Sequence, residues 1–238
     1  MRYCELSCKV WLKQDISFKE SFEILSKYIS FAMYEDGASN VHEKEGFKYY
    51  TFGGLLPLEK EQIYKKDHFY HFTIRSLDET LIDALKTKLR TNINNTHFLV
   101  IEAHKKILSE FFITELYSAT PVVVSVDNGK YWTMNESGDI AQLQKQLHEN
   151  AVQKYQSFFN TTLDVTQNFI QLIEIKNRSP QNIHITKNGK PIRFFGNKFR
   201  IIPNEDEISQ KLACVAIACG IGEKNSYGAG FLLAKGIR

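Results

Sequence analysis

Residues 3–33, YCELSCKVWLKQDISFKESFEILSKYISFAM, change partway from an alternating to a helical pattern of apolar side chains. The alternating part, in which every second residue is apolar, consists of Cys4, Leu6, Cys8, Val10 and Leu12. The helical part, in which apolar residues recur three or four positions apart, consists of Phe18, Phe22, Leu25, Ile29 and Met33. Alternation is typical of a strand with one buried face, and the second spacing is typical of an amphipathic helix. The chain is therefore predicted to start with a strand followed by a helix.

The following segment predicts two more strands, a helix and a further strand. Residues 48–52 are aromatic-rich, and residues 70–75 alternate between apolar and polar side chains. Asp78 precedes the apolar series Leu81, Leu85 and Leu89, so it is predicted to be the N-cap of a helix. Residues 97–104 then return to a strand pattern. The order βαββαβ is that of the ferredoxin-like unit, in which two helices pack on one face of a four-stranded antiparallel sheet.

The remainder of the chain repeats this order less cleanly. Its predicted elements are a strand at 122–126, a helix at 140–158, a strand at 169–175, a hairpin at 183–195, a helix at 208–219 and a strand from Phe231. The hairpin is indicated by Asn188-Gly189, a dipeptide that favours a two-residue turn. The sequence thus predicts an α+β protein of two tandem ferredoxin-like (RRM-like) domains. These are residues 1–108 and residues 109–238, of which the second carries a glycine-rich loop.

The composition is ordinary for a soluble globular protein. Of the 238 residues 43% are hydrophobic and 24% are charged, and no apolar run reaches the roughly 18 residues that indicate a membrane span. The first residues lack the pattern of a secretion signal, so a cytoplasmic protein with no membrane partner is expected. The spacing of the cysteines fits neither a disulfide-dense scaffold nor a zinc site, which predicts that they are small core residues. They are Cys4, Cys8, Cys214 and Cys219.

The net charge of +3 is too small to indicate a nucleic-acid partner, but the distribution of charge is uneven. From Ile175 to Asn204 the chain has basic residues and no Asp or Glu. Such a one-sign segment on a hairpin favours contact with phosphate groups. The candidate RNA-binding residues of this segment are Lys187, Lys190, Arg193, Lys198 and Arg200.

Residues 220–230, GIGEKNSYGAG, form an unusual glycine-rich loop. Glycines lack a side chain, so backbone N–H groups can approach phosphate oxygens at Gly220, Gly222, Gly228 and Gly230. Lys224, Asn225 and Ser226 add side-chain donors. The alternative is a glycine-rich turn between a helix and a strand, in which the glycines only allow positive φ angles. The loop lacks the GK[ST] ending of a Walker motif and does not follow a strand, which disfavours nucleotide-binding folds.

The GxGxxxxxGxG loop at the end of a doubled ferredoxin-like chain resembles the repeat-processing CRISPR endoribonucleases, sixth in the Cas numbering, of the RAMP superfamily. Near the other end, residues 41–52, VHEKEGFKYYTF, resemble the family's segment that carries a histidine and a lysine six residues apart. The resemblance covers the whole chain in its order of elements. In residue detail it is specific for these two segments alone.

The resemblance implies a metal-independent cleavage in which the RNA 2′-hydroxyl attacks the neighbouring phosphorus. His42 would transfer a proton near neutral pH, and Lys48 would stabilise the charge of the transition state. A tyrosine of the first helix would complete the site, either Tyr28 or Tyr34, of which Tyr28 is favoured. For His42 the alternative is a solvated loop histidine. The histidines form no HExxH pair, and Asp36, Glu43 and Glu45 are interpreted as a polar loop, so no metal and no cofactor are expected.

The expected partner is CRISPR repeat RNA or precursor crRNA, with other Cas proteins of an effector complex and a homodimer left open. A second hypothesis is a non-catalytic RAMP-type RNA-binding subunit of such a complex, which would bind repeat RNA without cutting it. A third, an RRM-like single-strand binder, is disfavoured because the sequence lacks the aromatic RNP pattern.

Overall fold

The computed structural model describes residues 1–34, 46–91, 95–109, 111–126 and 129–237. The strands of this part are β1 (Arg2–Leu12), β2 (Ile16–Ser17), β3 (Tyr50–Phe52), β4 (Ile63–Tyr64), β5 (Phe69–Ser76), β6 (Phe98–Ser109), β7 (Phe112–Ser118), β8 (Ile170–Ile175), β9 (Gln181–Lys187), β10 (Lys190–Gly196), β11 (Phe199–Pro203) and β12 (Leu232–Ile237). The helices are α1 (Phe18–Tyr34), α2 (Glu79–Thr91), α3 (Ile140–Phe159) and α4 (Glu207–Cys219), and a 3-10 turn spans Asn225–Tyr227.

The first half forms the predicted ferredoxin-like unit. Its antiparallel sheet has the strand order β3-β5-β1-β6, with Leu6 of β1 opposite Ile74 of β5. The alternating apolar side chains of β1, from Cys4 to Leu12, are buried together with apolar side chains of α1 and α2. Asp78 caps α2 as predicted, because its Oδ1 accepts a hydrogen bond of 3.1 Å from the N–H of Leu81.

The second half has the same topology, with the strand order β12-β7-β11-β8 and helices α3 and α4. The prediction of a strand at residues 122–126 is wrong: Val122, Val123 and Ser125 form isolated bridges, and β7 takes the place of the first strand. The inward side chains of β7, Ile113, Leu116 and Ser118, are spaced by three and then two residues, so the alternation that indicates a strand is broken. The α+β class with two ferredoxin-like units is confirmed.

The hairpin of β9 and β10 is an insertion between the second and third strands of this second sheet. Its turn is as predicted, with positive φ angles of 52° at Asn188 and 72° at Gly189. The hairpin packs on α1, and Ile183, Ile185 and Phe194 belong to the core of the first half.

Each of the two hydrophobic cores therefore contains residues from the other half of the chain. Val123 also joins the first core, and Tyr3 and Leu77 join the second. The sheets change between Ser109 and Phe112, and the domain boundary at residues 108 and 109 stays a prediction.

All four cysteine side chains are buried, as predicted. Burial raises the pKa of the Cys8 and Cys219 thiols to about 12, which keeps them protonated and unreactive at neutral pH. Across the described ranges, each helix is too short or too polar to cross a bilayer.

Candidate active site

The glycine-rich loop is built around the buried side chain of Lys154 on α3. Its Nζ donates hydrogen bonds of 2.7 Å to the carbonyl oxygen of Gly220, 2.9 Å to that of Gly222 and 2.8 Å to Oδ1 of Asn225. Lys154 is only 4% exposed. Three acceptors match the three N–H donors of an ammonium group, so the arrangement holds the charged form.

Burial is the main cause that lowers the pKa of Lys154, to about 8. The carboxylate of Glu223 and the thiol of Cys219 act in the opposite direction. Lys154 is therefore mostly protonated at neutral pH and can satisfy all three acceptors at once.

The amide of Asn225 faces into the loop. Besides accepting from Lys154, its Nδ2 donates to the carbonyl oxygens of Ile221 at 3.2 Å and Ala229 at 2.9 Å. These bonds use both N–H groups of the amide. The structure thus contradicts the prediction that Asn225 offers a donor to RNA, because its polar atoms close the loop internally.

The four glycines are required by the packing of the loop itself. Gly220, Gly222, Gly228 and Gly230 all have positive φ angles. A Cβ at Gly222 would lie 2.6 Å from the carbonyl oxygen of Val123, and one at Gly228 would lie 2.5 Å from a ring carbon of Phe22. These contacts favour the glycine-rich turn as the reason for the glycines. A phosphate cradle stays a prediction, and a valine at Gly222 would report on folding as much as on RNA.

Among the loop residues predicted to bind RNA through their side chains, Lys224 and Ser226 remain partly exposed. The Nζ of Lys224 lies 5.8 Å from the ring centroid of Phe194 on the hairpin and 3.7 Å from Oε2 of Glu223. The backbone oxygen of Ser226 accepts a 2.8 Å bond from Oγ of Ser26 on α1. The loop therefore contacts both the hairpin and the first half.

Lys48 lies two residues before β3 in a segment that packs on α3. The hydroxyl of Tyr49 donates a 2.6 Å hydrogen bond to Oγ of Ser157, and its ring packs against Phe158 with centroids 5.0 Å apart. On the other side of Lys48, the ring centroid of Phe47 lies 6.0 Å from Nζ of Lys154. Lys48 is half-buried, and burial lowers the pKa of its amine. One helix thus holds both the segment of Lys48 and the glycine-rich loop.

His42 lies outside the described residues, so its proposed role stays a prediction. Tyr34 is the last residue of α1.

Tyr28 does not fit the predicted catalytic role. Its hydroxyl donates to the carbonyl oxygen of Leu89 inside the first core, and its ring packs edge-on against Phe98 at 4.8 Å. Burial strongly raises the pKa of this phenol. A buried, hydrogen-bonded hydroxyl of this kind supports the core, so the assignment of Tyr28 is corrected to a structural residue.

The basic residues predicted to bind RNA separate into two groups. Lys187, Lys190 and Arg193 are exposed on the hairpin. Arg200 lies on β11, outside the hairpin, where its guanidinium pairs with Glu115 and, at 3.3 Å, with Glu174. Its charge is thus engaged within the sheet, which contradicts its predicted place in the hairpin's basic surface.

Lys198 lies beside a cleft of about 630 Å³ that opens between the two halves. The cleft is lined from both halves, by Phe18, Phe22, Gly53, Thr120, Lys198 and Phe231 among others. Burial lowers the pKa of the Lys198 amine.

The sequence analysis missed Lys154, although a signal was present. Lys154 stands seven residues after Leu147 and three after Ala151, both buried, on the apolar face of α3. A lysine on the core-facing side of an amphipathic helix must find internal acceptors or disrupt the packing. That position predicts a buried polar contact, although its partners cannot be named from sequence.

Comparison with known proteins gives a consistent set of relatives. The model of the family described as CRISPR associated protein Cas6, C-terminal, matches residues 101–233. The chain is 25% identical over 236 residues to CRISPR-associated endoribonuclease Cas6 2 of Methanocaldococcus jannaschii, across 92% of this chain and 95% of that protein.

Two solved structures share the fold over nearly their whole length. A structure of CRISPR associated protein Cas6 has a TM-score of 0.70 at 22% identity and covers 98% of this chain and 99% of its own. The product of a Cas6-related gene from Pyrococcus furiosus has a TM-score of 0.66 at 17% identity and covers 98% of both chains.

Proposed function

The chain belongs to the Cas6 family of CRISPR-associated proteins, and on that premise we propose that it is an endoribonuclease that cuts CRISPR repeat RNA. The observation that carries the proposal is that α3 holds the segment of Lys48 and the glycine-rich loop, which come from opposite ends of the chain. Residues 46–52, the described part of the first segment that carries the resemblance, and the glycine-rich loop therefore both pack on α3. The substrate is precursor crRNA, and the products are mature guide RNAs.

In the proposed reaction the 2′-oxygen forms a bond to phosphorus while the bond to the 5′-oxygen breaks. One product ends in a 2′,3′-cyclic phosphate, and the other begins with a 5′-hydroxyl. His42 transfers a proton at one of the two oxygens. The half-buried ammonium group of Lys48 stabilises the charge that develops on the phosphorane oxygens, since a charge partly removed from water acts more strongly. We propose that the reaction needs no metal ion.

The proposed RNA path uses the exposed cations of the hairpin, together with Lys224 of the loop and Lys198 beside the cleft. Lys187, Lys190 and Arg193 carry their charges on one continuous β-ribbon. Phosphate groups bound there would release counterions, so affinity should depend on salt. Delivery of the cut RNA to other Cas proteins in the cytoplasm is part of the same proposal.

The experiment that tests this function incubates the purified protein with the repeat RNA of its own locus in excess EDTA. We expect unchanged cleavage and a 2′,3′-cyclic phosphate at the new 3′ end, detected by mass spectrometry. A repeat with a 2′-deoxynucleotide at the cut should stay intact. Cleavage that stops in EDTA and returns with Mg²⁺, or that leaves a 3′-hydroxyl, would contradict the mechanism. Tight binding without any cleavage would favour the non-catalytic RNA-binding subunit.

Reversing the charge of Lys187, Lys190 and Arg193 together to Glu should weaken binding of the uncut repeat. Three lost phosphate contacts at about 0.7 each should reduce the slope of log Kd against log salt by about 2. Filter binding across a salt series measures both quantities. The control carries the same charge change at Lys86, Arg90 and Lys145 on α2 and α3, which lie outside the proposed path. Equal affinities for the two variants would remove the hairpin from the RNA path.

A further inference from the structure

Ser157 and Phe158 follow Lys154 by three and four residues, so both lie on the same side of α3 as Lys154. Lys154 binds the glycine-rich loop through the carbonyl oxygens of Gly220 and Gly222. Ser157 and Phe158 contact Tyr49, the residue after Lys48. This face therefore joins two segments that are remote in sequence.

Lys154 is also the point at which the two sets of contacts meet. Its ammonium group binds the loop and at the same time lies 6.0 Å from the ring centroid of Phe47, the residue before Lys48. A cation near an aromatic ring is attracted to its face. A displacement of the Lys154 side chain would therefore disturb both the glycine-rich loop and the segment of Lys48.

We propose that Lys154 is a positioning residue for RNA cleavage, which fixes the glycine-rich loop and the segment of Lys48 relative to each other. The proposal rests on the proposed endoribonuclease function. Without the ammonium group, two carbonyl oxygens and Oδ1 of Asn225 lose a buried donor. Buried acceptors without donors are unfavourable, so the loop would rearrange to reach water. Lys48 would then lose its fixed position, and a shift of about 1 Å in a catalytic group can cost about 10²-fold in rate.

The test compares Lys154→Met, which keeps the length and apolar stem of the side chain, with Lys145→Met on the same helix. Lys145 is exposed, and its pairing with Glu149 at 3.9 Å is a surface contact. We expect the single-turnover cleavage rate of Lys154→Met to fall by about 10-fold to 10²-fold. The Kd for a repeat with a 2′-deoxynucleotide at the cut should stay within about threefold, because four of the five cations of the proposed RNA path, those of the hairpin and Lys198, are untouched and only Lys224 lies in the loop. Lys145→Met should match the wild-type protein in both.

Hydrogen exchange gives a readout that separates positioning from general stability. In Lys154→Met, amides of residues 46–50 and 220–230 should exchange faster, while those of β9 and β10 should keep their wild-type rates. A well-folded Lys154→Met that cleaves within twofold of the wild-type rate would overturn the proposal. So would faster exchange throughout the chain, or a Kd that rises in proportion to the loss of rate.

If Lys154→Met does not fold, the Ser157→Ala variant tests the proposal in its place. This change removes the hydrogen bond to Tyr49 at an exposed position and leaves the glycine-rich loop intact. We expect an unchanged melting temperature, faster exchange at residues 46–50 and a cleavage rate reduced by about threefold or more. An unchanged rate and unchanged exchange would refute the coupling through α3. If the wild-type protein binds repeat RNA without cutting it, the proposed function fails, and the exchange comparison still tests the coupling.

Discussion

His42→Ala should slow single-turnover cleavage of the repeat RNA by about 10²-fold to 10⁴-fold, the range expected for loss of a general acid or base. The Kd for uncut repeat should hardly change, because His42 is assigned to proton transfer and the cations of the hairpin remain. The measurement is the cleavage rate with enzyme in excess, alongside filter binding of a 2′-deoxy substrate. A loss confined to rate marks an interaction made in the transition state.

A modified substrate tells which proton His42 transfers. Sulfur in place of the 5′-oxygen at the cut makes a leaving group that needs no proton. If His42 is the general acid, His42→Ala should cut this substrate almost as fast as the wild-type protein does. If it is the base, the defect should persist. The matched control is His104→Ala, since His104 is an exposed histidine on β6 that contacts Glu102. A His42→Ala protein with wild-type rates on the natural repeat would show that the mechanism is wrong.

Lys48→Met should lower the cleavage rate by about 10²-fold to 10³-fold, the usual cost of removing one group that stabilises the charge of the transition state. Methionine retains the apolar stem, so the packing of Phe47 and Tyr49 against α3 should persist. Single-turnover rates and circular dichroism together check this expectation. Lys48→Arg keeps the positive charge and should retain more activity than Lys48→Met.

Lys86→Met is the control for Lys48, because it removes an equal charge from the exposed face of α2. It should leave rate and affinity unchanged. If Lys48→Met raises Kd and leaves the single-turnover rate at saturating enzyme unchanged, Lys48 stabilises the bound RNA and the transition state equally. That result would move Lys48 from charge stabilisation to binding.

Local periodicity was sufficient to predict most elements of both ferredoxin-like units. It failed at β7, where Ile113 and Leu116 are three residues apart, and at residues 122–126, whose apolar run forms only isolated bridges. Apolar runs of this length do not by themselves distinguish a sheet strand from a bridging segment.

The candidate site was harder to predict because side-chain partners come from distant parts of the chain. Tyr28 is three residues after Leu25 on the apolar face of α1, so this spacing alone predicts that its side chain is buried. The family resemblance led instead to the prediction of a catalytic role. The acceptors of Arg200 are on β7 and β8, and no local pattern reveals them. No local pattern reveals the hydrogen-bond partners of Asn225 either, because its amide is oriented by Lys154 from another helix.

The inserted hairpin has a consequence for the order in which the chain folds. Ile183, Ile185 and Phe194 complete the core around α1, yet they are translated long after β6 closes the first sheet. The amino-terminal half therefore emerges from the ribosome with an uncovered apolar surface, and it stays incomplete until β10 has been made. Contacts of such long sequence separation slow folding. A fragment that ends at residue 109 would keep the strands of the first sheet but would lack the hairpin side chains that complete its core.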